Sequence, residues 1–357
     1  MNLLLFLAVI SVLVFFHELG HFLMAKYFGV GVEEFGFGIP PRLFGRKIKG
    51  TIYSINLLPI GGFVKLRGDE ADNLQNSSGE ILGLSSSDSL AVRSKPKRAL
   101  IMLAGVFGNL LLAWLIFCVL FTAGFPRLSK NVRVELVAEG SPAQLAAIKP
   151  GDLILSVAGT SVEDSQTFSK VIREKAGEDV RLSVQSPNEA PREIALIPRK
   201  TPPAGQGPTG VKVSHIYYEQ KLWWTSPYFA TLELGRSVKE IYSGLGQMIV
   251  KVFTKREAPQ VTGIVGLYNL TGEVAPLGGK IFLQFVAIIS LNLFLFNLLP
   301  IPALDGGRLL FIGVEMVFGK VRAQRWEGPA NNIGFAFLIL LFVLVTFQDL
   351  RRMFFSS

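Results

Sequence analysis

Charge is scarce in this chain. Only 18% of its 357 residues are Asp, Glu, Lys or Arg, where a domain surrounded by water carries about 25%. Half of the residues are hydrophobic, so intrinsic disorder is excluded and a purely cytosolic protein is not expected. Cysteine occurs once, as Cys118, which rules out an intrachain disulfide and a zinc cluster built on cysteines. Histidine occurs three times, so each imidazole has to be accounted for singly. The net charge of +9 is spread along the chain and forms no basic tract, so no nucleic-acid partner is expected. In a membrane protein such an excess records topology. Glycine (36) and phenylalanine (28) are plentiful, as expected where helix backbones approach closely in lipid.

Long uncharged runs account for this composition. About 20 apolar residues cross the hydrocarbon of a bilayer, and four segments qualify. They are 1–25, which contains His17–His21; 99–122; 281–304, which carries Gln284, Ser290, Asn292 and Asn297; and 328–348, which carries Asn331 and Asn332. The first does not read as a cleavable signal peptide, because nothing basic precedes it and its apolar run is too long. The expected fold is an α-helical polytopic membrane protein with four transmembrane helices. Loop 26–98 holds 11 Lys/Arg, and loop 305–327 adds Arg308, Lys320, Arg322 and Arg325. Both are therefore expected on the cytoplasmic side, with the N-terminus and residues 123–280 outside. Arg351 and Arg352 weigh the other way and are outnumbered.

Between the second and third spans, residues 127–200 read as an inserted α+β domain. Val132–Val137, Val180–Val184 and Glu193–Leu196 alternate apolar and polar residues, the period of half-buried strands. Pro150-Gly151-Asp152 turns into Leu153–Val157, and a helix is expected over Thr167–Ala176. Residues 201–280 are expected to hold a linker followed by an amphipathic helix. The linker is Thr201–Gly210, with three Pro and three Gly in ten residues. The helix carries Leu234, Val238, Ile241, Leu245, Met248 and Val252 at spacings of three and four. It packs on the inserted domain or lies on the bilayer surface, and the sequence leaves both open.

His17-Glu18-Leu19-Gly20-His21 carries the sharpest chemistry. Helix residues four apart lie about 40° apart around the axis and about 6 Å along it. Two imidazoles so spaced can bind one zinc from the same face, with Glu18 close to the water on the fourth position. An ionisable cluster inside a span is also costly, which makes it a functional hypothesis by default. A third protein ligand is needed. His215 falls in the stretch read as external, and Cys118 sits late in the second span as a small packing residue. Carboxylates near the cytoplasmic face remain, and Asp305 in Asn297-Leu-Leu-Pro-Ile-Pro-Ala-Leu-Asp-Gly-Gly307 is favoured. Taken alone, Asp305 also reads as a cap or turn residue before two glycines.

The HExxH of the first span, the Asn-x-x-Pro-x-Pro-x-Leu-Asp-Gly run of the third and the insertion after the second together resemble a site-2 protease. The resemblance covers nearly the whole chain and is nearest to the bacterial RseP group of intramembrane zinc metalloproteases. It implies that 127–200 is a PDZ-like domain, single here where the RseP pattern has two. It implies one zinc per chain, bound by His17, His21 and Asp305, with Glu18 as the base and Asn297 near the substrate backbone. Phe35–Gly38, Ile52–Leu57 and Pro59–Lys65 resemble the membrane-associated β-loop that meets substrate, with Ile52–Leu57 expected as an edge strand. Substrates would be single-span membrane proteins, such as anti-sigma factors or remnant signal peptides, in a bacterial cytoplasmic (inner) membrane. A non-catalytic membrane scaffold and a zinc transporter are the rival readings. The intact Glu18 and Asp305 weigh against the first, and the shortage of ionisable residues along the spans weighs against the second.

Overall fold

The structure is a computed structural model that describes residues 2–68, 87–187, 189–255 and 262–355. Part of the expected 26–98 region, 69–86, and part of the 201–280 region, 256–261, lie outside the described residues. The chain forms two compact units, Met1–Thr122 with Leu222–Ser357, and Ala123–Lys221.

The first unit contains α1 (Asn2–Tyr27), β1 (Val32–Ile48), β2 (Thr51–Leu66) and α2 (Lys95–Ala123). After the insertion it continues with α5 (Ser226–Lys255), α6 (Ile264–Val274), α7 (Gly279–Leu298), α8 (Asp305–Phe318) and α9 (Lys320–Phe355). Helices α1, α2, α7 and α9 are each long and apolar enough to cross a membrane, in accord with the expected fold class. Helices α1, α2 and α7 meet around Val9, Leu13, Leu112 and Val286. Lipid tails are as apolar as these side chains, so burial alone does not hold helices together there and close backbone approach matters. At Gly20 an added Cβ would stand 2.0 Å from the Ala104 carbonyl oxygen. At one end Arg98 donates to Glu315 Oε2 (2.7 Å) and Lys95 to the Glu315 carbonyl (3.1 Å), tying α2 to α8. Helix α6 joins the start of α1 to the end of α9. The rings of Phe6 and Tyr268 meet edge to face, and Asp349 accepts from the Gly263 and Gly266 amides at the start of α6.

Three expectations are corrected. The third span stops at Leu298 rather than reaching 304, because Pro300 and Pro302 lack the N–H that would continue the ladder. The expected 305–327 loop is helix α8 and the first two turns of α9. Buried Phe311, Ile312 and Glu315 share one face of α8, a pattern that the charges around it obscured. The expected edge strand Ile52–Leu57 is not an edge over its first part. Residues 52–55 pair with 34–37 on one side and with 44–47 on the other, and 34–37 pair in turn with 62–65. The edges are therefore the segments around 42–48 and 62–66. The tip of this sheet is apolar and exposed at Ile39, Leu43, Phe44, Ile55, Leu57 and Leu58.

The inserted unit is α+β. It comprises β3 (Phe125–Val137), α3 (Pro142–Leu145), β4 (Leu153–Val157), β5 (Thr160–Ser161), α4 (Ser165–Glu174), β6 (Val180–Gln185), β7 (Arg192–Leu196) and β8 (Val211–Glu219). The strand order is β7-β6-β4-β3-β8, with β5 on β4. Val132, Val134, Ile154, Phe168, Ile172, Leu182 and Val184 form its core. Asp164 caps α4 by accepting from the Thr167 amide at 2.7 Å, the N-cap role of its residue type. The stretch expected as a linker folds back into this unit. Arg199 and Ala138 amides donate to the Pro208 and Gly210 carbonyls, both at 2.8 Å, and the following β8 pairs along β3. The Pro and Gly content of 201–210 signals turns, and the alternation Val211-Lys-Val213 was the strand signal beyond it.

Candidate metal centre

Helix α1 carries His17, Glu18 and His21 in its second half, and Asp305 is the first residue of α8. Asp305 is delivered by a tight non-helical turn, Leu299–Leu304, in which Ala303 takes a positive φ of 76°. Asn331 of α9 accepts from the Ala303 amide at 3.2 Å and steadies that turn. The turn lies so close to α8 that a Cβ on Gly306 would sit 2.1 Å from the Leu299 carbonyl oxygen. Glycine after Asp305 is thus a packing requirement.

The four-residue spacing and this turn bring three atoms together. His17 Nε2 and Asp305 Oδ2 lie 3.0 Å apart, His21 Nε2 and Asp305 Oδ2 3.3 Å, and the two Nε2 atoms 3.3 Å. Asp305 Oδ2 is buried, yet no hydrogen bond satisfies it among the described residues. A tetrahedron with bonds of about 2.0–2.1 Å has edges of about 3.3–3.4 Å. Two imidazole nitrogens and a carboxylate oxygen at these separations therefore fit three corners of a zinc site, with the fourth corner open. Among the described residues this is the group of His, Cys, Asp or Glu side chains close enough to share an ion.

Glu18 stands beside the cluster, and its Oε2 accepts from the Val64 amide at 3.0 Å. The strand segment carrying Val64 is fastened to α1 again one helical stretch earlier. Ser11 Oγ donates to the Pro59 carbonyl (2.8 Å) and accepts from the Gly61 amide (3.3 Å). The edge bordering Glu18 is thus 62–66, where the sequence had pointed to 52–57.

Helix α2 supplies what the sequence reading missed. His21 Nδ1 donates to the Ile101 carbonyl at 2.9 Å, which in the neutral ring leaves Nε2 as the free lone pair. The ring fits because residue 105 is glycine, whose added Cβ would stand 2.0 Å from His21 Nε2. Asn109 is fully buried and lies 3.5 Å from His17 Nδ1 through its amide nitrogen. An asparagine in the middle of an apolar span was the available signal. Asn297 is half-buried in the last turn of α7, before the Leu299–Leu304 turn. His215 lies in β8 and Cys118 in α2, neither of them part of the cluster.

The model of peptidase family M50 matches residues 5–341. The zinc metalloprotease RasP of Geobacillus kaustophilus is 30% identical over 98% of this chain and 97% of its own length. The regulator of sigma-W protease RasP of Bacillus subtilis is 28% identical over 98% of both chains. Among solved structures, the PDZ domain of an SdrC-like protein from Listeria monocytogenes is similar over 24% of this chain and 90% of its own, at 22% identity and a TM-score of 0.22.

Proposed function

The chain belongs to peptidase family M50 and is a zinc metalloprotease of the membrane, and from that premise we propose that it cleaves single-span membrane proteins within or near their transmembrane segments. In this reading His17, His21 and Asp305 hold one zinc per chain. The convergence of their three ligand atoms within 3.0–3.3 Å is the observation that carries it. Zinc bound there would supply Lewis acidity, polarising the scissile carbonyl and making water a nucleophile at neutral pH. Glu18 takes the proton of the attacking water and passes it to the leaving amine. The Val64 N–H, donating to Oε2, keeps one carboxylate oxygen in place while the other works.

A substrate helix must unwind before its carbonyls can be attacked, and unwinding in lipid costs several kcal/mol for each exposed group. The 62–66 edge next to Glu18 is suited to accept such an unwound stretch by strand addition, and Asn297 would hold a further substrate carbonyl. The exposed apolar tip of the sheet suits immersion in lipid. By charge distribution the N-terminus and the inserted PDZ-like unit are extracytoplasmic in a bacterial inner membrane, and the catalytic end faces the cytoplasm. The name of the Bacillus subtilis relative, a regulator of sigma-W protease, makes membrane-anchored anti-sigma factors the first substrates to test, with remnant signal peptides second.

Metal analysis of purified protein tests the assignment. His17→Ala, His21→Ala and Asp305→Ala are each expected to lose zinc and cleavage, and Glu18→Gln to keep zinc and lose cleavage. Full zinc occupancy and cleavage in Asp305→Ala would remove it from the ligand set.

A further inference from the structure

We infer that Asn109 is the positioning residue for His17, accepting a hydrogen bond from its Nδ1–H through Oδ1. The inference rests on the proposed zinc site and deepens it. A neutral imidazole has one N–H. If Nε2 of His17 faces the cluster, Nδ1 carries the proton and needs an acceptor. In this buried setting an unmade bond costs about 1–3 kcal/mol. His21 meets the same demand through the Ile101 carbonyl. For His17 the neighbouring group is the Asn109 amide, which turns its NH2 toward Nδ1 at 3.5 Å, donor against donor. Its Oδ1, meanwhile, is buried without a partner among the described residues. A half-turn of the amide exchanges the two atoms and resolves both mismatches at once. The position is rigid: Asn109 is fully buried, and Ser290 Oγ of α7 donates to its backbone carbonyl at 2.8 Å. Outer partners of ligating histidines fix the tautomer and ring orientation, and their loss typically weakens metal binding about 10–100-fold.

The test is zinc affinity by chelator competition on protein purified in detergent, with no cleavage needed for the readout. Asn109→Leu removes the acceptor and is expected to weaken zinc about 10–100-fold, with the unfolding temperature of the metal-free protein little changed. Asn109→Asp keeps an acceptor and cannot donate, and is expected to bind zinc at least as tightly as the parent. A tenfold loss in Asn109→Asp would mean that the amide acts as donor, and would overturn the proposal even if Asn109→Leu did not fold. Parental affinity in Asn109→Leu would overturn it as well. His17→Ala is run alongside. If it loses zinc while Asn109→Leu does not, the Asn109 role alone falls; if it binds zinc as the parent does, the zinc site falls with it.

Discussion

Gly105→Ala adds one carbon and is expected to disable the metal site. The added Cβ would stand 2.0 Å from His21 Nε2 and 2.3 and 2.4 Å from the neighbouring ring carbons. Ordinary contact begins at 3.4 Å, so something must yield by 3.4 − 2.0 = 1.4 Å. If the ring yields, a ligand atom moves about seven times the ±0.2 Å that metal–ligand distances tolerate. If α1 and α2 part by the same amount instead, the bond from His21 Nδ1 to the Ile101 carbonyl stretches from 2.9 Å past the reach of a hydrogen bond. Either route spoils the ring's placement. A misplacement of about 1 Å costs about 100-fold in rate, or about 2.7 kcal/mol. Cleavage of a single-span substrate in detergent should fall by at least that factor, and zinc content after purification should fall as well. Gly313→Ala is the control, because Gly313 is exposed on α8 and nothing lies within 4 Å of its added Cβ. It should be neutral or stabilising by about 0.5–1 kcal/mol. Full zinc and parental cleavage in Gly105→Ala would refute the argument that the glycine clears space for the ligand.

Val64→Pro removes the N–H that orients Glu18 and should lower kcat at least about tenfold while zinc content stays full; an unchanged kcat would mean that Glu18 is held by other means. With Cys118 replaced, an impermeant thiol reagent on intact cells should label Ser165→Cys and leave Ser87→Cys unlabelled, and the reverse pattern would invert the proposed topology. Excising the whole inserted sheet, 125–219, with a short flexible replacement should leave cleavage of a short substrate intact and raise cleavage of its full-length precursor, if the unit acts as a steric filter. A stable deletion protein that still spares the precursor would rule that filter out.

The HExxH pair and Asp305 were legible in the sequence because spacing on a helix and proximity to one membrane face are both one-dimensional properties. The four spans were legible for the same reason, since length and hydropathy need no partner. What escaped depends on three-dimensional pairing. The reach of β8 was hidden because its apolar residues fall on both faces after Ser214, where alternation fails. The doubled pairing of 34–37 with 52–55 and 62–65 has no periodic signature, so the wrong segment looked like the edge. Helix α8 reads as a loop because Arg308, Lys320, Arg322 and Arg325 weigh as topology signals, and the buried pairing of Glu315 with Arg98 leaves no trace in one dimension. Gly105 and Asn109 were passed over because a glycine and an amide in an apolar span look like ordinary helix packing until the ring beside them is seen.

The membrane explains why α2, with no ligand of its own, is so closely fitted to the site. In water a ligating imidazole can leave its second N–H to solvent. Inside a bilayer every such group must find its partner within the bundle. His21 finds it on the Ile101 carbonyl, an oxygen that already serves the helical bond from residue 105 and offers its second lone pair. Side chains on a helix lean toward its N-terminus and cover the turn before them. A side chain at 105 would therefore lie over the carbonyl at 101, and glycine is what leaves it open. One turn further on, Asn109 replaces the carbonyl with a side-chain amide for His17. Residues 101, 105 and 109 thus form a stripe at intervals of four that offers an acceptor, a gap and a second acceptor. It faces a pair of histidines spaced four apart on the neighbouring helix. The proposed ligands come from α1 and α8, and their orientation comes from this stripe.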